Sequence, residues 1–155
     1  MFKKLIISGL CSLAIGATYV LWRGTPATLA TPEIAPNTIK ANEPTLVTVT
    51  VRIQDPAFTA YSVDLVRVDA HAVALQETEM LDEDGTNTDA VAGHQFFLRM
   101  KDDGTKGDAV AGDGVFTRRV RLKESSGPIY FEVHAGFAKV ERPVRSVPFA
   151  VKVSK

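Results

Sequence analysis

Two acidic, glycine-rich segments are the part of the sequence whose residue types could do chemistry. "DEDGTNTDAVAG" begins at Asp82 and returns 19 positions later as "KDDGTKGDAVAG", which begins at Lys101. Hard cations such as calcium take oxygens from carboxylates and main-chain carbonyls, and glycines allow the tight turns that bring such oxygens together. The spacing predicts calcium ligands, with Asp102, Asp103, Asp108 and Asp113 as the principal set and Asp82, Asp84 and Asp89 as a weaker one.

A metal-free interpretation of the same segments competes with calcium. Neither segment has the EF-hand pattern, because glycine follows an acidic pair directly. An aspartate before a glycine also forms turns by accepting hydrogen bonds from its own main chain. In this alternative Val91 and Val110 would pack beneath their loops as small apolar plugs. Both interpretations stay open, and the second segment is the better candidate for a metal.

The other residues that could form a zinc site or a catalytic site are poor candidates. The three histidines are far apart in sequence, no cysteine is available to complete a zinc site, and His134 is expected to be solvated on the outer face of a strand. The chain has no G-x-S-x-G and no phosphate-binding glycine loop. Its carboxylates form one cluster rather than a pair on opposite sides of a bond. These observations favour a protein that is not an enzyme, with an envelope hydrolase, or a subunit of one, as the alternative.

The first 24 residues are typical of an export signal. "MFKKLIISGLCSLAIGATYVLWRG" places two lysines before an uncharged apolar run, residues 5–22, which predicts a hydrophobic helix and export. A cleaved signal peptide and a retained membrane anchor both fit, so we expect a periplasmic or cell-surface domain. Residues 25–37 hold three prolines and predict a tether, and residues 38–155 predict the folded domain. The only cysteine, Cys11, lies in the leader, so the exported part can form no internal disulfide.

Charge is unevenly distributed along the chain. All 18 acidic residues follow the leader, together with 15 basic ones, for a net charge of −3. A mildly acidic body lacks the basic footprint of nucleic-acid binding, which argues against that partner. From Glu77 to Asp113 there are ten acidic and three basic residues, whereas from Arg118 to Arg145 there are seven basic and three acidic. The basic run predicts a solvated face, or else a surface for anionic lipid, polysaccharide or a neighbour's acidic loops.

Alternating apolar residues predict an all-β domain. "TLVTVTVRI", "VFTRRVRL", "IYFEVHAGF" and "SVPFAVKV" alternate with the period of a strand, and no long segment after the leader keeps helical spacing. About seven or eight strands must then bury their apolar faces against one another, which predicts an immunoglobulin-like two-sheet sandwich, with a small barrel as competitor. "YSVDLVRVD" breaks the alternation and predicts a bulge or a strand buried on both faces. Pro148 predicts an edge position or a bulge in the last strand.

The order of these segments resembles a known group of modules. It is similar to exported bacterial immunoglobulin-like modules that carry a D-D-G-x-x-G-D-x-x-A-G-D-G-x-[FY]-[ST] loop, including the choice-of-anchor group. The likeness covers residues 33–153, and its specific part is "DDGTKGDAVAGDGVFT", residues 102–117. It implies an immunoglobulin-like fold at the cell surface and no particular activity. The earlier segment departs from the pattern, with Thr88 where the later one has Gly107 and "HQ" where it has "DG".

The sequence as a whole predicts a non-catalytic binding or structural module at the cell envelope. Its loops would meet a protein or glycan partner, and calcium would stabilise them. The membrane is a further partner if the leader is retained.

Overall fold

The structure, a computed structural model, describes residues 27–54, 60–75, 81–83, 90–91, 94–138 and 140–155. The leader, with its predicted hydrophobic helix, lies outside the described residues. Within those ranges, no helix has the length and apolar character needed to cross a membrane.

The described residues form twelve strands, six of them only two or three residues long. In chain order they are β1 (Thr28–Leu29), β2 (Glu33–Ala35), β3 (Thr38–Lys40), β4 (Thr45–Gln54), β5 (Ala60–Val68), β6 (Leu81–Asp82), β7 (Ala90–Val91), β8 (His94–Arg99), β9 (Val115–Leu122), β10 (Ile129–Phe137), β11 (Val144–Arg145) and β12 (Phe149–Ser154). The longer strands coincide with the alternating segments of the sequence.

These strands form two sheets. The first has the order β1-β4-β9-β6, with β2 also pairing with β4, and the second has the order β3-β12-β10-β5-β8-β7, with β11 pairing with β10. The pairing of β3 with β12 is parallel, and the others are antiparallel. The β12-β10-β5 order facing β4-β9 corresponds to the G-F-C and B-E strands of the immunoglobulin fold. The predicted all-β, immunoglobulin-like two-sheet sandwich is confirmed.

The core lies between the sheets and is built by alternation. On β4, Val47, Val49, Val51 and Ile53 are at most 8% exposed, while Arg52 between the last two is exposed. The inward residues of the second sheet complete this core, among them Val63, Leu65, Phe131, Val133, Ala135 and Val151. Apolar residues on every second position are buried because successive side chains of a strand point to opposite faces.

Strand β5 is buried on both faces. Val63 and Leu65 pack in the core, and Asp64 and Val66, on the opposite face, are also buried. Outside the second sheet, Val66 and Val68 form a small cluster with the partly buried Ala74 and Tyr130. The register between β5 and β10 also shifts near Gly136, so the broken alternation reflects both two-sided burial and an irregular pairing.

The sheets extend into the segment assigned to the tether. β1 and β2 lie within residues 25–37, and both pair with β4, for example Ile34 with Val49. The folded part thus includes residues before 38. At the other end, β12 begins immediately after Pro148, because proline has no amide hydrogen to donate to the sheet.

Arg118 corrects the prediction of a solvated basic face. Its strand partner is Val49, and cross-strand partners share a face, so Arg118 points into the sandwich. The residue is 0% exposed, and its Nη1 donates to the carbonyl of Arg99 at 3.2 Å. The prediction was wrong for Arg118 because its position on β9 is inward, as are those of Val120 and Leu122.

We expect Arg118→Ala to lower the free energy of unfolding by about 2–4 kcal/mol, because it removes a buried aliphatic stem and a buried hydrogen bond. The matched change Arg142→Ala, at an exposed position, should cost less than about 0.5 kcal/mol. Urea denaturation of both variants measures the difference. Equal losses would contradict the assignment of Arg118 to the core.

Candidate acidic-loop site and a buried polar cluster

The second acidic segment forms the connection between β8 and β9, residues 102–114, called the acidic loop below. Its base is closed by a pair of main-chain hydrogen bonds, Lys101 N to Thr117 O at 2.9 Å and Thr117 N to Lys101 O at 2.7 Å. The loop is therefore attached to two strands that belong to different sheets, and the sandwich determines the position of both its ends.

Asp102 organises the far end of the loop. Its carboxylate accepts hydrogen bonds from the amides of Gly112 at 2.8 Å, Asp113 at 3.1 Å and Gly114 at 3.1 Å. Gly112 and Gly114 have φ angles of 75° and 78°, a region that side chains with a Cβ disfavour. The Asp102 side chain thus accepts hydrogen bonds from three consecutive loop amides that do not take part in strand pairing.

Two further aspartates form local turns. Asp103 Oδ1 accepts from the Thr105 amide at 3.0 Å and from the Thr105 hydroxyl, and Asp113 Oδ1 accepts from the Val115 amide at 2.8 Å. Both bonds span two residues, which is the Asx-turn geometry of the metal-free interpretation. The hydroxyl bond is the main cause that holds the pKa of the Asp103 carboxyl below its ordinary value.

Asp108 lies at the inner side of the loop and is 8% exposed. Its Oδ2 accepts from the Gly104 amide at 2.7 Å, and its own amide donates to the Thr105 carbonyl at 2.9 Å. Neighbouring Gly107 has a φ of 94°, and a Cβ there would lie 2.5 Å from Arg119 Nε. Glycine is required at this position both for the backbone angle and for the approach of arginine.

Arg119 connects the acidic loop to the first sheet. Its side chain lies against Gly107, and its Nη1 forms an ion pair with Glu83 Oε2 at 3.2 Å. Arg121 also reaches this position, with Nη2 donating to the Glu83 carbonyl at 2.6 Å. These two arginines of the basic run face outward as predicted, but they contact Glu83 rather than forming a free basic face.

The loop brings together three of its four predicted metal ligands. Carboxylate oxygens of Asp102, Asp108 and Asp113 lie within 4.8 Å of one another. Asp103 is exposed and does not belong to this group. The three clustered acids stand at intervals of six and five residues, and the turns at the loop glycines bring them together.

The first acidic segment is described only in part. Asp84 and Asp89 lie outside the described residues, and Asp82 is part of β6, where its backbone pairs with Val120. In the second segment, the predicted apolar plug Val110 is 57% exposed, so that prediction was wrong. The loop is stabilised by its aspartates and glycines and not by a packed valine.

A second polar cluster lies on the outer face of the second sheet. His134 Nε2 is 2.8 Å from Glu132 Oε2, and Arg99 Nε donates to Asp64 Oδ1 at 2.6 Å. Glu132, Asp64 and His134 are only 4%, 8% and 8% exposed. The prediction of a solvated imidazole was wrong, because chain outside the sheet, including residues 72–74 and 143, lies over this face.

Burial determines the protonation of this imidazole. Burial away from water is the main cause that lowers the pKa of His134 below its ordinary value of 6.5, and the positive charge of Arg145 lowers it further. The hydrogen bond with Glu132, and the negative charges of Glu132 and Asp64, oppose that shift. Burial therefore favours the neutral form of the imidazole over the protonated form.

One feature of the sequence indicated this cluster. The consecutive apolar residues Leu65 and Val66 require cover on both faces of β5, and the outer face of its partner β10 carries Glu132 and His134. Two-sided burial of β5 therefore implies that polar residues beside it are also covered. Alternation alone assigns those residues to solvent.

No protein-family model and no curated protein matches the chain.

We expect Asp102→Ala to lower the free energy of unfolding by about 1–2 kcal/mol, much as in the loss of a helix cap. The amides of Asp113 and Gly114 lose their acceptor, and the Gly112 amide keeps only the main-chain carbonyl of residue 102. Asp103→Ala is the control and should cost less, since the side chain of Asp103 is exposed and accepts its bonds from the nearby Thr105. Thermal and urea denaturation at pH 7 without added metal compare the two. A larger loss for Asp103→Ala would contradict the organising role of Asp102.

The lowered pKa of His134 predicts a pH-dependent stability. Below about pH 6.5 the unfolded chain binds a proton that the folded protein binds less readily, so stability is greatest above this pH and falls as the pH decreases. We expect His134→Gln to flatten the free energy of unfolding between pH 7.5 and 5.5. His71→Gln, at an exposed histidine, should keep the wild-type slope. A His134→Gln profile parallel to that of the wild type would refute the prediction.

Proposed function

We propose that this chain is a non-catalytic immunoglobulin-like module of an exported protein. In this proposal it acts at the cell envelope, where its loops present a surface to a protein or glycan partner and calcium stabilises the acidic loop. The observation that carries the proposal is the convergence of Asp102, Asp108 and Asp113 within 4.8 Å. The export sequence of the first 24 residues supports the location.

The distances in the cluster fit one calcium ion. Calcium–oxygen bonds measure about 2.3–2.6 Å, so two oxygens on the same ion are separated by no more than about 5 Å. The 4.8 Å limit of the cluster satisfies this condition. A bound dication would also offset the repulsion among three carboxylates that share one loop.

The hydrogen bonds of the loop leave room for an ion. Each carboxylate has about four lone-pair positions, and the amide bonds to Asp102, Asp108 and Asp113 use only some of them. Because these bonds already organise the loop, the ion would add stability to an existing conformation. Weak sites of this kind, with dissociation constants of about 0.1–1 mM, suit extracellular modules, where calcium is abundant.

The exposed part of the loop supports a role in contact. Asp113 and the 57% exposed Val110 lie on the same solvent-facing connection. A rigid sandwich that presents a polar loop with an apolar residue is a common arrangement for partner binding.

Calcium should raise the melting temperature of the exported domain. For a dissociation constant of about 0.5 mM, 5 mM calcium adds about 1.4 kcal/mol to the free energy of unfolding, a shift of roughly 5 °C for a domain of this size. Differential scanning calorimetry with calcium and with chelator measures this shift, which magnesium should not reproduce.

Two matched variants connect that shift to the cluster. Asp108→Asn should abolish the calcium-dependent shift, whereas Asp103→Asn, outside the cluster, should retain it. A melting temperature that does not change over millimolar calcium would remove the metal from the proposal and leave the scaffold. A shift that both variants retain would place the ion elsewhere.

A further inference from the structure

A cavity on the outer face of the second sheet has the features of a ligand site. Its volume is about 470 Å³, within the usual range for small-molecule pockets. The lining residues are Ser62, Asp64, Val68, Ala72, Val73, Ala74, His134, Pro143 and Arg145. It shares no residue with the acidic loop.

The floor of the cavity is a row of charged and polar residues on three strands, which Arg99 continues on a fourth strand outside the lining. Arg145 on β11 pairs with His134 on β10, His134 pairs with Asp64 on β5, and Asp64 pairs with Arg99 on β8. Cross-strand partners lie side by side on one face. The backbone register therefore places these groups in a fixed order.

Asp64 has a charged partner in this row, and Glu132 is hydrogen-bonded to the imidazole of His134. Arg99 forms an ion pair with Asp64 at 2.6 Å, and the buried Glu132 bonds to His134 at 2.8 Å. Arg145 differs, because no carboxylate of the described residues lies within ion-pair distance of its guanidinium. Two strand spacings, about 10 Å, separate the backbone of Arg145 from that of Asp64. Among the residues that line the cavity, the charge without an ion-pair partner is that of Arg145, and it is positive.

The apolar wall of the cavity belongs in part to a turn that is held by internal hydrogen bonds. It includes residues 72–74 of the turn after β5, where Asp69 Oδ1 accepts from the amides of His71 at 2.7 Å and Val73 at 3.0 Å. The amide of Asp69 donates in return to the Val73 carbonyl at 2.9 Å. Ala72 has a φ of 61°, which this network maintains. The wall exists before a ligand arrives, which reduces the cost of binding.

We propose that this cavity binds a carboxylate attached to an apolar body. Arg145 would form the paired hydrogen bonds that a guanidinium makes to a carboxylate, while Val68, Val73 and Pro143 would cover the apolar part. A small organic acid and the carboxyl terminus of a short apolar peptide share this chemistry. A cationic ligand is disfavoured because Asp64, the acidic residue of the lining, is already paired with Arg99.

The test uses three probes of the same shape, 4-phenylbutyrate, 4-phenylbutylamine and 4-phenylbutanol, with binding to the exported domain measured by NMR titration. The carboxylate should bind at least about tenfold more tightly than the other two, as expected for one charge-assisted interaction. Shifts should map to Val68, Val73 and His134. Equal affinities for the three probes, or no binding up to 10 mM (about the limit for millimolar ligands), would overturn the proposal.

Two variants and one control test whether 4-phenylbutyrate binds at Arg145 and Val73. Arg145→Gln should weaken 4-phenylbutyrate about tenfold without changing the melting temperature, because the guanidinium has no ion-pair partner in the described protein. Val73→Asp, at a 60% exposed wall residue, should also weaken it. Arg142→Gln, which does not line the cavity, should bind as the wild type does. Unchanged affinity in Arg145→Gln would refute the site.

A peptide arm distinguishes the two sources of carboxylate. Acetyl-Gly-Gly-Phe is compared as the free acid and as the carboxamide. If the free acid binds more tightly than 4-phenylbutyrate and the carboxamide does not bind, the natural ligand is a peptide terminus. If only 4-phenylbutyrate binds, the ligand is a small acid.

Discussion

Two-sided burial of the β5–β10 pair is the constraint on which the structure depends. Eight residue pairs join the two strands, their inward side chains fill the core, and their outward side chains are covered by chain outside the sheet. A strand with one face in water carries polar residues on that face. The β5–β10 pair has buried residues on both faces, so other parts of the chain must cover both. The outer cluster of Val66 and Val68 and the polar row at His134 both follow from that requirement.

Buried charge is tolerated in this protein where a partner is fixed by strand register. Glu132 and His134 stand two residues apart on one strand and therefore point to the same face. Asp64 and Arg99 are direct cross-strand partners. Burial of an unpaired charge costs several kcal/mol. Strand register offsets part of that cost for the two buried carboxylates, because it places Asp64 beside Arg99 and Glu132 beside His134. Arg118 also points into the sandwich because of its strand position, and its Nη1 donates to the Arg99 carbonyl.

The acidic loop is a long connection between the two sheets, and its own residues must stabilise it. Its amides have no strand partner, and aspartate carboxylates serve as their acceptors, with glycines supplying the positive φ angles. The same arrangement brings three negative charges close together at the surface. Internal hydrogen bonding and cation binding are therefore compatible, since the first positions the oxygens that the second would use.

The sequence by itself determined the fold class, because alternation with period two records which face of each strand is buried. It also identified Asp102, Asp108 and Asp113, since aspartate and glycine at close spacing restrict the loop strongly. Only the tertiary structure excluded Asp103 from the cluster, included β1 and β2 in the first sheet, and buried Arg118 and His134. Those outcomes depend on contacts between segments distant in sequence, and the pattern within a single strand does not report what lies over its outer face.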